Sequence, residues 1–191
     1  IFLQGYRPGG LAARGFSPEQ LAQKAPGIIA VSLSAYGHTG PWAGRRGFDS
    51  LTQNANGINF EEAAAVSPDG TVDRPKELPC QALDHGAGHL LAFGAMVALH
   101  RRAEQGGSWL VRTSLAQVGH WLQSIGRVEG GMQCPDPKLE DVADLIETSP
   151  SGFGVMRAVR HAAVMATTPV RYASPAMPLG TYPPDWLPKG K

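Results

Sequence analysis

Short apolar runs alternate with helix-like spacing along the first part of this chain. The β-branched run at 27–34 has the length and composition of a buried strand, and 1–3 is typical of the end of another. Between them, Ser17 with Pro18 and Gln20 forms a helix-start signal, with Ser as N-cap and Gln able to complete a capping box. Strand, short helix and strand predict an α/β fold, and the nearly continuous apolar run predicts a parallel sheet covered on both faces.

The longest periodic segment runs from residue 86 to 102, where apolar residues recur at helical spacing. Two arginines close it, as suits the negative end of a helix dipole. A third strand is predicted at 108–113. Ser114 can then cap a last helix that reaches about Ile125.

The remaining segments are rich in glycine and proline and predict less regular structure. We expect a loop at 36–46, a short helix at 48–56 and an exposed excursion at 61–79. Beyond the last predicted helix the signals for order are weak, apart from a possible short helix at 138–146. The proline-rich stretch 169–188 is interpreted as an extended arm.

Composition and charge narrow the class of protein. The 191 residues include 24 glycines and 16 prolines, so much of the chain is expected to be loop, and a net charge of +1 without a basic stripe argues against nucleic-acid binding. Cys80 and Cys134 lie far apart without a C-x-x-C spacing, which indicates neither a disulfide framework nor a zinc site. No apolar run approaches the length needed to cross a bilayer. We expect a cytoplasmic protein without a membrane partner, and an incomplete chain because residues 1–3 have the pattern of the end of a buried strand.

Asp84 is the main candidate for chemistry because it stands just ahead of the long apolar helix. The free N–H groups and the positive dipole end of a helix would hold a carboxylate there ionised. An ionised carboxylate can attack an activated acyl group, and Gly86 and Gly88 would let a substrate approach the backbone. The alternative is that this aspartate only caps the helix.

The other candidate groups give weaker signals. His85 and His89 are four residues apart, but no third ligand is near, so no metal site is predicted. The glycine-rich loop 36–41 follows a strand and could approach phosphates or a thioester, although it lacks the G-x-G-x-x-G spacing. Arg7 and Arg46 could pair with phosphate, or could be ordinary solvated surface residues.

Five blocks, taken together and in order, resemble class III CoA-transferases. This family contains formyl-CoA and carnitine-CoA transferases and α-methylacyl-CoA racemases. The agreement extends from Ile1 to about Ile125, and the blocks that carry it are 2–9, 26–37, 40–42, 46–51 and the segment from Cys80 to Ala95.

The resemblance implies a fold and a domain organisation. It implies an α/β fold with an open, mostly parallel Rossmann-like sheet flanked by helices, followed by the long proline-rich arm. Residues 1–127 would be the core of the large domain without its N-terminal part, and 128–191 a C-terminal segment. The family's small middle domain has no counterpart, so we expect a fragment or a half-length member.

The resemblance also implies a ping-pong transfer of CoA. The carboxylate matching Asp84 would attack a donor acyl-CoA, and the freed CoA would return to form an aspartyl-CoA thioester that a carboxylic acid acceptor then resolves. CoA is part of the substrate, and no tightly bound cofactor is implied. Family dimers are interlocked, so a homodimer or association with a second CoA-transferase chain is expected. The residues expected to bind CoA and substrate are Arg7, Arg14 and Arg46 near the nucleotide and pantetheine, Tyr36, Gly37 and Phe48 at the acyl end, and Gly86 beside the nucleophile.

Two alternatives to transfer remain. Racemases of the family have His where this chain has Phe48, and a two-base proton transfer needs a second titrating group, which phenylalanine does not supply. Racemisation is therefore disfavoured. A catalytically silent CoA-binding domain or partner subunit is the second alternative, because segments of the family pattern are missing.

Overall fold

Three short parallel strands form the sheet of this protein. They are β1 (Phe2–Gln4), β2 (Ile29–Ser34) and β3 (Trp109–Ser114), hydrogen-bonded in the order β1-β2-β3. The computed structural model describes residues 1–172 and 174–185. The chain divides into two units, Ile1–Gln133 and a second that begins at Cys134. The assignment of residues 1–127 to a large-domain core and 128–191 to a C-terminal segment stays a prediction.

The central strand β2 explains why a parallel sheet forms. Val31 pairs with Leu3 on one side and with Val111 on the other, and every β2 residue except Leu33 is buried. A strand covered on both faces needs an unbroken apolar or small-residue run, which residues 29–34 supply. The predicted parallel α/β sheet flanked by helices is confirmed.

The first crossover uses the helix that the sequence pattern predicts. In α1 (Pro18–Lys24), Ser17 Oγ accepts from the Gln20 N–H at 3.2 Å, and Gln20 Oε1 accepts from the Ser17 N–H at 2.9 Å. This reciprocal pair satisfies donors at the helix start that would otherwise lack partners. Leu21 is the buried residue of the helix. The capping-box prediction is confirmed.

Four helices occupy the second crossover and the segment after β3. They are α2 (Asp49–Ala55), α3 (Ile58–Val66), α4 (Ala82–Gln105) and α5 (Leu115–Ser124). The prediction of an exposed excursion at 61–79 is wrong for its first six residues, which belong to α3. Gly57, with φ of +81°, turns the chain so that α3 packs beside α2 and buries Ile58 and Ala63. The proline and glycine signals lie beyond Val66, so they mark the loop after the helix and not the helix itself.

Helix α4 is the core helix, and it is longer than predicted at both ends. Its first half packs Leu83 and Ala87 against α5 and the start of α3, and its second half packs Leu91, Ala95 and Ala98 against β2. Among the described residues, α4 alone is long and apolar enough to cross a bilayer by length and composition. Its buried stripe against the sheet is the pattern of a core helix in an α/β layer.

Two glycines of α4 make a matched test of this packing. A methyl group at Gly94 would lie 2.6 Å from Val111 Cγ1, whereas one at Gly88 would meet no atom within 4 Å. We expect Gly94→Ala to lower the free energy of unfolding by about 1–3 kcal/mol because the helix must move off β3. Gly88→Ala should raise it by about 0.5–1 kcal/mol through helix propensity. Urea denaturation measures both, and a Gly94→Ala protein as stable as Gly88→Ala would contradict the close contact.

The second unit contains a β-hairpin that the sequence pattern did not predict. Strands β4 (Ile146–Ser151) and β5 (Gly154–Val159) pair antiparallel. Pro150 lies within β4, which is possible because a two-stranded sheet has only edges, where a missing N–H is tolerated. The helix predicted at 138–146 is a 3₁₀ helix over Leu139–Leu145.

The predicted proline-rich arm lies only partly in the described part of the chain. Within residues 169–172 and 174–185 the structure contains no helix or strand. Residue 173 and residues 186–191 lie outside the described residues. The arm therefore stays a prediction.

Candidate active site

Several of the predicted site residues lie at the carboxyl edge of the sheet. Arg7 follows β1, Tyr36 and Gly37 follow β2, and α5 begins where β3 ends. Because the three strands are parallel, these ends meet at one edge. This is where open α/β sheets bind ligands.

Asp84 is brought to the same edge by the direction of α4. The helix ends at Gln105 shortly before β3 begins, and near that end Arg102 donates to the Gly27 carbonyl ahead of β2 at 2.8 Å. The other end of α4 therefore lies towards the carboxyl ends of the strands. The expectation that Asp84 precedes the helix as its N-cap is wrong: the N-cap is Gln81, and Asp84 lies inside the first turn.

A buried carboxylate from α2 takes over the capping role. Asp49 is 1% exposed, and its Oδ2 accepts from the Asp84 backbone N–H at 2.8 Å. Its Oδ1 accepts from the Gln53 side-chain amide one turn along α2. Gln53 also donates to the Cys80 carbonyl at 3.2 Å and accepts from the Leu78 N–H at 3.1 Å. Asp49 and Gln53 together hold the chain that leads into α4.

The electrostatics at Asp84 differ from the sequence-based expectation. The side chain is exposed, yet partial burial raises the pKa of its carboxyl above the ordinary value, and the Asp49 carboxylate raises it further. His85 acts in the opposite direction and lowers this pKa. The helix start was expected to favour the charged form of Asp84, but the pKa shift has the opposite direction, because partial burial raises this pKa and the Asp49 carboxylate, which accepts the helix N–H, adds a like charge.

Tyr36 and Arg46 meet in a cleft of about 400 Å³. The Tyr36 and Trp42 rings contact edge to face at 5.1 Å, and the Arg45 guanidinium lies 4.4 Å from the centre of the Trp42 ring. Leu51, Asn54 and Ala55 of α2 complete the lining. These residues lie on the side of α2 opposite Asp49 and Gln53, since a helix turns about 100° per residue. The cleft therefore lies on the side of α2 away from the hydrogen bond between Asp49 and the Asp84 backbone.

The other predicted substrate-binding residues are spread along the same unit. Arg7 and Arg14 are exposed, and Phe48, 85% exposed, stands at the start of α2. Gly37 has a φ of +98°, which favours glycine, and its N–H donates to Ser34 Oγ at 3.1 Å. A side chain at Gly86 would lie 2.9 Å from Val118 Cγ1, so packing on α5 accounts for this glycine. Contact of these five residues with substrate stays a prediction.

Sequence reasoning missed three residues at this edge. Asp49 and Gln53 lie in a segment for which the sequence predicts only a short helix, and their contacts 25–35 residues along the chain show what they hold. His38, in the loop after β2, is the third. Burial lowers the pKa of its imidazole, and the Arg112 cation lowers it further. Within residues 1–172 and 174–185, no three His, Cys, Asp or Glu side chains are grouped as metal ligands.

Comparison with known proteins identifies the family. The sequence model of CoA-transferase family III matches residues 1–144. A probable fatty acyl-CoA transferase of Mycobacterium tuberculosis is 30% identical over 143 residues, which is 72% of this chain and 35% of that protein. The succinyl-CoA–D-citramalate CoA-transferase of Chloroflexus aurantiacus is 35% identical over 107 residues, covering 56% of this chain and 25% of the relative. The chain thus spans about a third or less of the length of these relatives.

Solved structures agree with the sequence matches. A crystal structure from M. tuberculosis superposes with a TM-score of 0.57 at 30% identity over 64% of this chain and 32% of its own. A CaiB/BaiF family protein from Brucella suis, 23% identical, shares the fold with a TM-score of 0.56 over 80% of this chain and 40% of its own. With most of its length matched by the family and its parallel sheet found in solved members, the chain belongs to CoA-transferase family III, the class III CoA-transferases.

Proposed function

We propose that this chain carries the nucleophile of a CoA-transferase that moves CoA from an acyl-CoA donor to a carboxylic acid, and that Asp84 is this nucleophile. The observation that carries the proposal is the exposed Asp84 in the first turn of α4, towards the carboxyl edge of the sheet, with its backbone N–H held by the buried Asp49 carboxylate. A carboxylate with a raised pKa is more basic and therefore more nucleophilic. Relatives with CoA-transferase activity in their names support the reaction class.

The proposed reaction proceeds through two acyl transfers at the Asp84 carboxyl. A carboxylate oxygen attacks the thioester carbonyl of the donor, the carbon–sulfur bond breaks, and a mixed anhydride and CoA thiolate result. The thiolate attacks the Asp84 carbonyl carbon and displaces the donor acid, which leaves an aspartyl-CoA thioester. The acceptor carboxylate reverses both steps and departs as its CoA ester. No oxidant, metal or external proton is consumed.

The substrate contacts are proposed from charge and shape. Arg7, Arg14 and Arg46 are exposed cations suited to the phosphates of CoA. Gly37 and Phe48 are proposed to face the acyl part, as the family resemblance implies. Tyr36, also expected there, lines the cleft with Arg46 and is proposed to contact the nucleotide end, and Gly86 is proposed to lie beside the nucleophile, where it packs on α5. The pantetheine arm separates the nucleotide of CoA from its thioester, so a nucleotide held in the cleft with Arg46 and a thioester at Asp84 need not share one pocket.

Association with a second chain is part of this proposal. Phe93 and Met96, 62% and 60% exposed, leave an apolar outer face on α4. A relative named as an alpha subunit, the succinyl-CoA–L-malate CoA-transferase of Chloroflexus aurantiacus, favours assembly with a partner chain. An interlocked homodimer is the other form proposed, and sedimentation of the purified chain distinguishes both from a monomer. Cytoplasmic location stays a prediction.

Phe48 disfavours racemisation, the first alternative to transfer. The side chain at this position is exposed and cannot exchange a proton, so the second base of a racemase is not supplied by it. The alternative of a catalytically silent subunit is favoured because the chain matches only 35% of the length of its M. tuberculosis relative. Both alternatives predict no acylated carboxyl on this chain.

Trapping with hydroxylamine tests the proposal. With a donor acyl-CoA present, hydroxylamine should attack the aspartyl-CoA thioester, release CoA and leave a hydroxamate on Asp84. Mass spectrometry of the peptide that contains Asp84 measures this product. We expect the hydroxamate only when acyl-CoA and hydroxylamine are both added. An unmodified peptide under conditions in which a longer relative is trapped would favour the silent-subunit alternative.

A further inference from the structure

Asp49 is a buried carboxylate without a cation beside it. It is 1% exposed, and among residues 1–172 and 174–185 its hydrogen-bond donors are the Gln53 amide and the Asp84 N–H, with no ion pair. A buried unpaired carboxylate is costly compared with a neutral acceptor. Its position therefore calls for a role that a neutral side chain would not fill.

Helix capping alone does not require the charge. Serine, threonine and asparagine satisfy a free helix N–H about as well as aspartate does. The two Asp49 oxygens have different partners. One accepts a hydrogen bond from the Gln53 side chain, which holds the carboxylate in place, and the other accepts from the backbone N–H of Asp84. The negative charge is thus held against the backbone of the same residue whose side chain is the candidate nucleophile.

We propose that Asp49 is a positioning residue for Asp84. Its buried carboxylate fixes the backbone from which the Asp84 side chain projects, and its negative charge acts on the Asp84 carboxyl through space. The part of Asp49 in catalysis rests on the proposed role of Asp84 as nucleophile. The electrostatic coupling between the two carboxyls does not depend on that role. In the proposed reaction, a like charge below Asp84 raises the basicity of the attacking oxygen.

The charged groups that act on Asp84 come from two elements. Asp49 on α2 raises the pKa of Asp84, and His85 on α4 itself lowers it. The surface of α5 that packs here presents Leu115 and Val118, which are apolar. Burial is the largest cause of the raised pKa, so removal of Asp49 should lower the pKa without returning it fully to its ordinary value.

Titration of the full chain tests the coupling. The ¹³C resonance of the Asp84 carboxyl, followed by NMR against pH, measures its protonation directly. In the unsubstituted chain the midpoint should lie above the ordinary range of aspartate. Asp49→Asn should move it to lower pH. Gln53→Ala removes the support but keeps the charge, so its midpoint should stay raised.

Each outcome bears on the proposal. A midpoint in the unsubstituted chain at or below the ordinary value would overturn it even if no variant folds. An unchanged midpoint in Asp49→Asn, or equal downward shifts in both variants, would reduce Asp49 to a helix cap. If the unsubstituted chain is not trapped by hydroxylamine but Asp49→Asn still lowers the titration midpoint of Asp84, the nucleophile assignment fails and the coupling between the two carboxyls remains.

Discussion

Asparagine in place of Asp84 is expected to lower the rate of acyl-enzyme formation by about 10³-fold or more, because the amide lacks a nucleophilic oxygen. The substitution changes little else. The backbone N–H of Asp84, not its side chain, bonds to Asp49, so the start of α4 keeps its cap. Asparagine also removes the repulsion between two carboxylates. The variant should therefore fold while failing to form the hydroxamate, as measured by peptide mass spectrometry.

A matched carboxylate controls for non-specific labelling. Asp73 is exposed in the loop between α3 and α4, and Asp73→Asn should be trapped as fully as the unsubstituted chain. Hydroxamate that persists in Asp84→Asn would contradict the assignment of Asp84 as the nucleophile, and the position of the modified residue would identify the true acyl acceptor. Because the assay follows the enzyme peptide and not the acid released, it does not depend on knowing the physiological acceptor.

Removal of the Leu83 side chain is expected to have the largest effect on stability. Leu83 is fully buried and packs with Ile58, Leu115 and Val118, so it joins three helices in one apolar cluster. Leu83→Ala should lower the free energy of unfolding by about 2–5 kcal/mol through lost transfer energy and the cavity left behind. Thermal or urea denaturation measures the loss.

Leu90 on the same helix provides the control. It is 38% exposed, and Leu90→Ala removes the same atoms from a site that water already reaches. Its cost should stay below about 1 kcal/mol. Equal losses for the two variants would mean that the α4–α5 cluster is looser than described. A loss of stability confined to Leu83→Ala would also show that the buried Leu83 serves packing, whereas its exposed sequence neighbour Asp84 is free to serve chemistry.

Features set by neighbours in sequence were predictable. The capping box of α1 and the Ser114 cap of α5, where Ser114 Oγ accepts from the Gln117 N–H at 3.1 Å, each act across three residues. The strand β2 was equally clear because burial on both faces requires a run of apolar and small residues. These signals, together with the ordered family blocks, sufficed for the α/β class and for the choice of Asp84 as the residue of interest.

Features set by distant contacts were missed. Helix α4 begins four residues earlier than predicted because its cap comes from Asp49, 35 residues away. The hairpin of β4 and β5 was also missed, because Pro150 is compatible only with an edge strand and the pairing that makes β4 an edge strand is not visible locally. In both cases the deciding partner is absent from the local sequence window.

The sequence by itself determined the layer architecture, the family and the candidate nucleophile, because hydrophobic period, caps and ordered motifs are written in adjacent residues. Only the tertiary structure decided the environment of that nucleophile. It removed Asp84 from the cap position, gave the capping bond to buried Asp49 and raised the pKa of Asp84. The physical reason is that charge and desolvation act through space, and the residues that supply them lie on helices brought together only by folding.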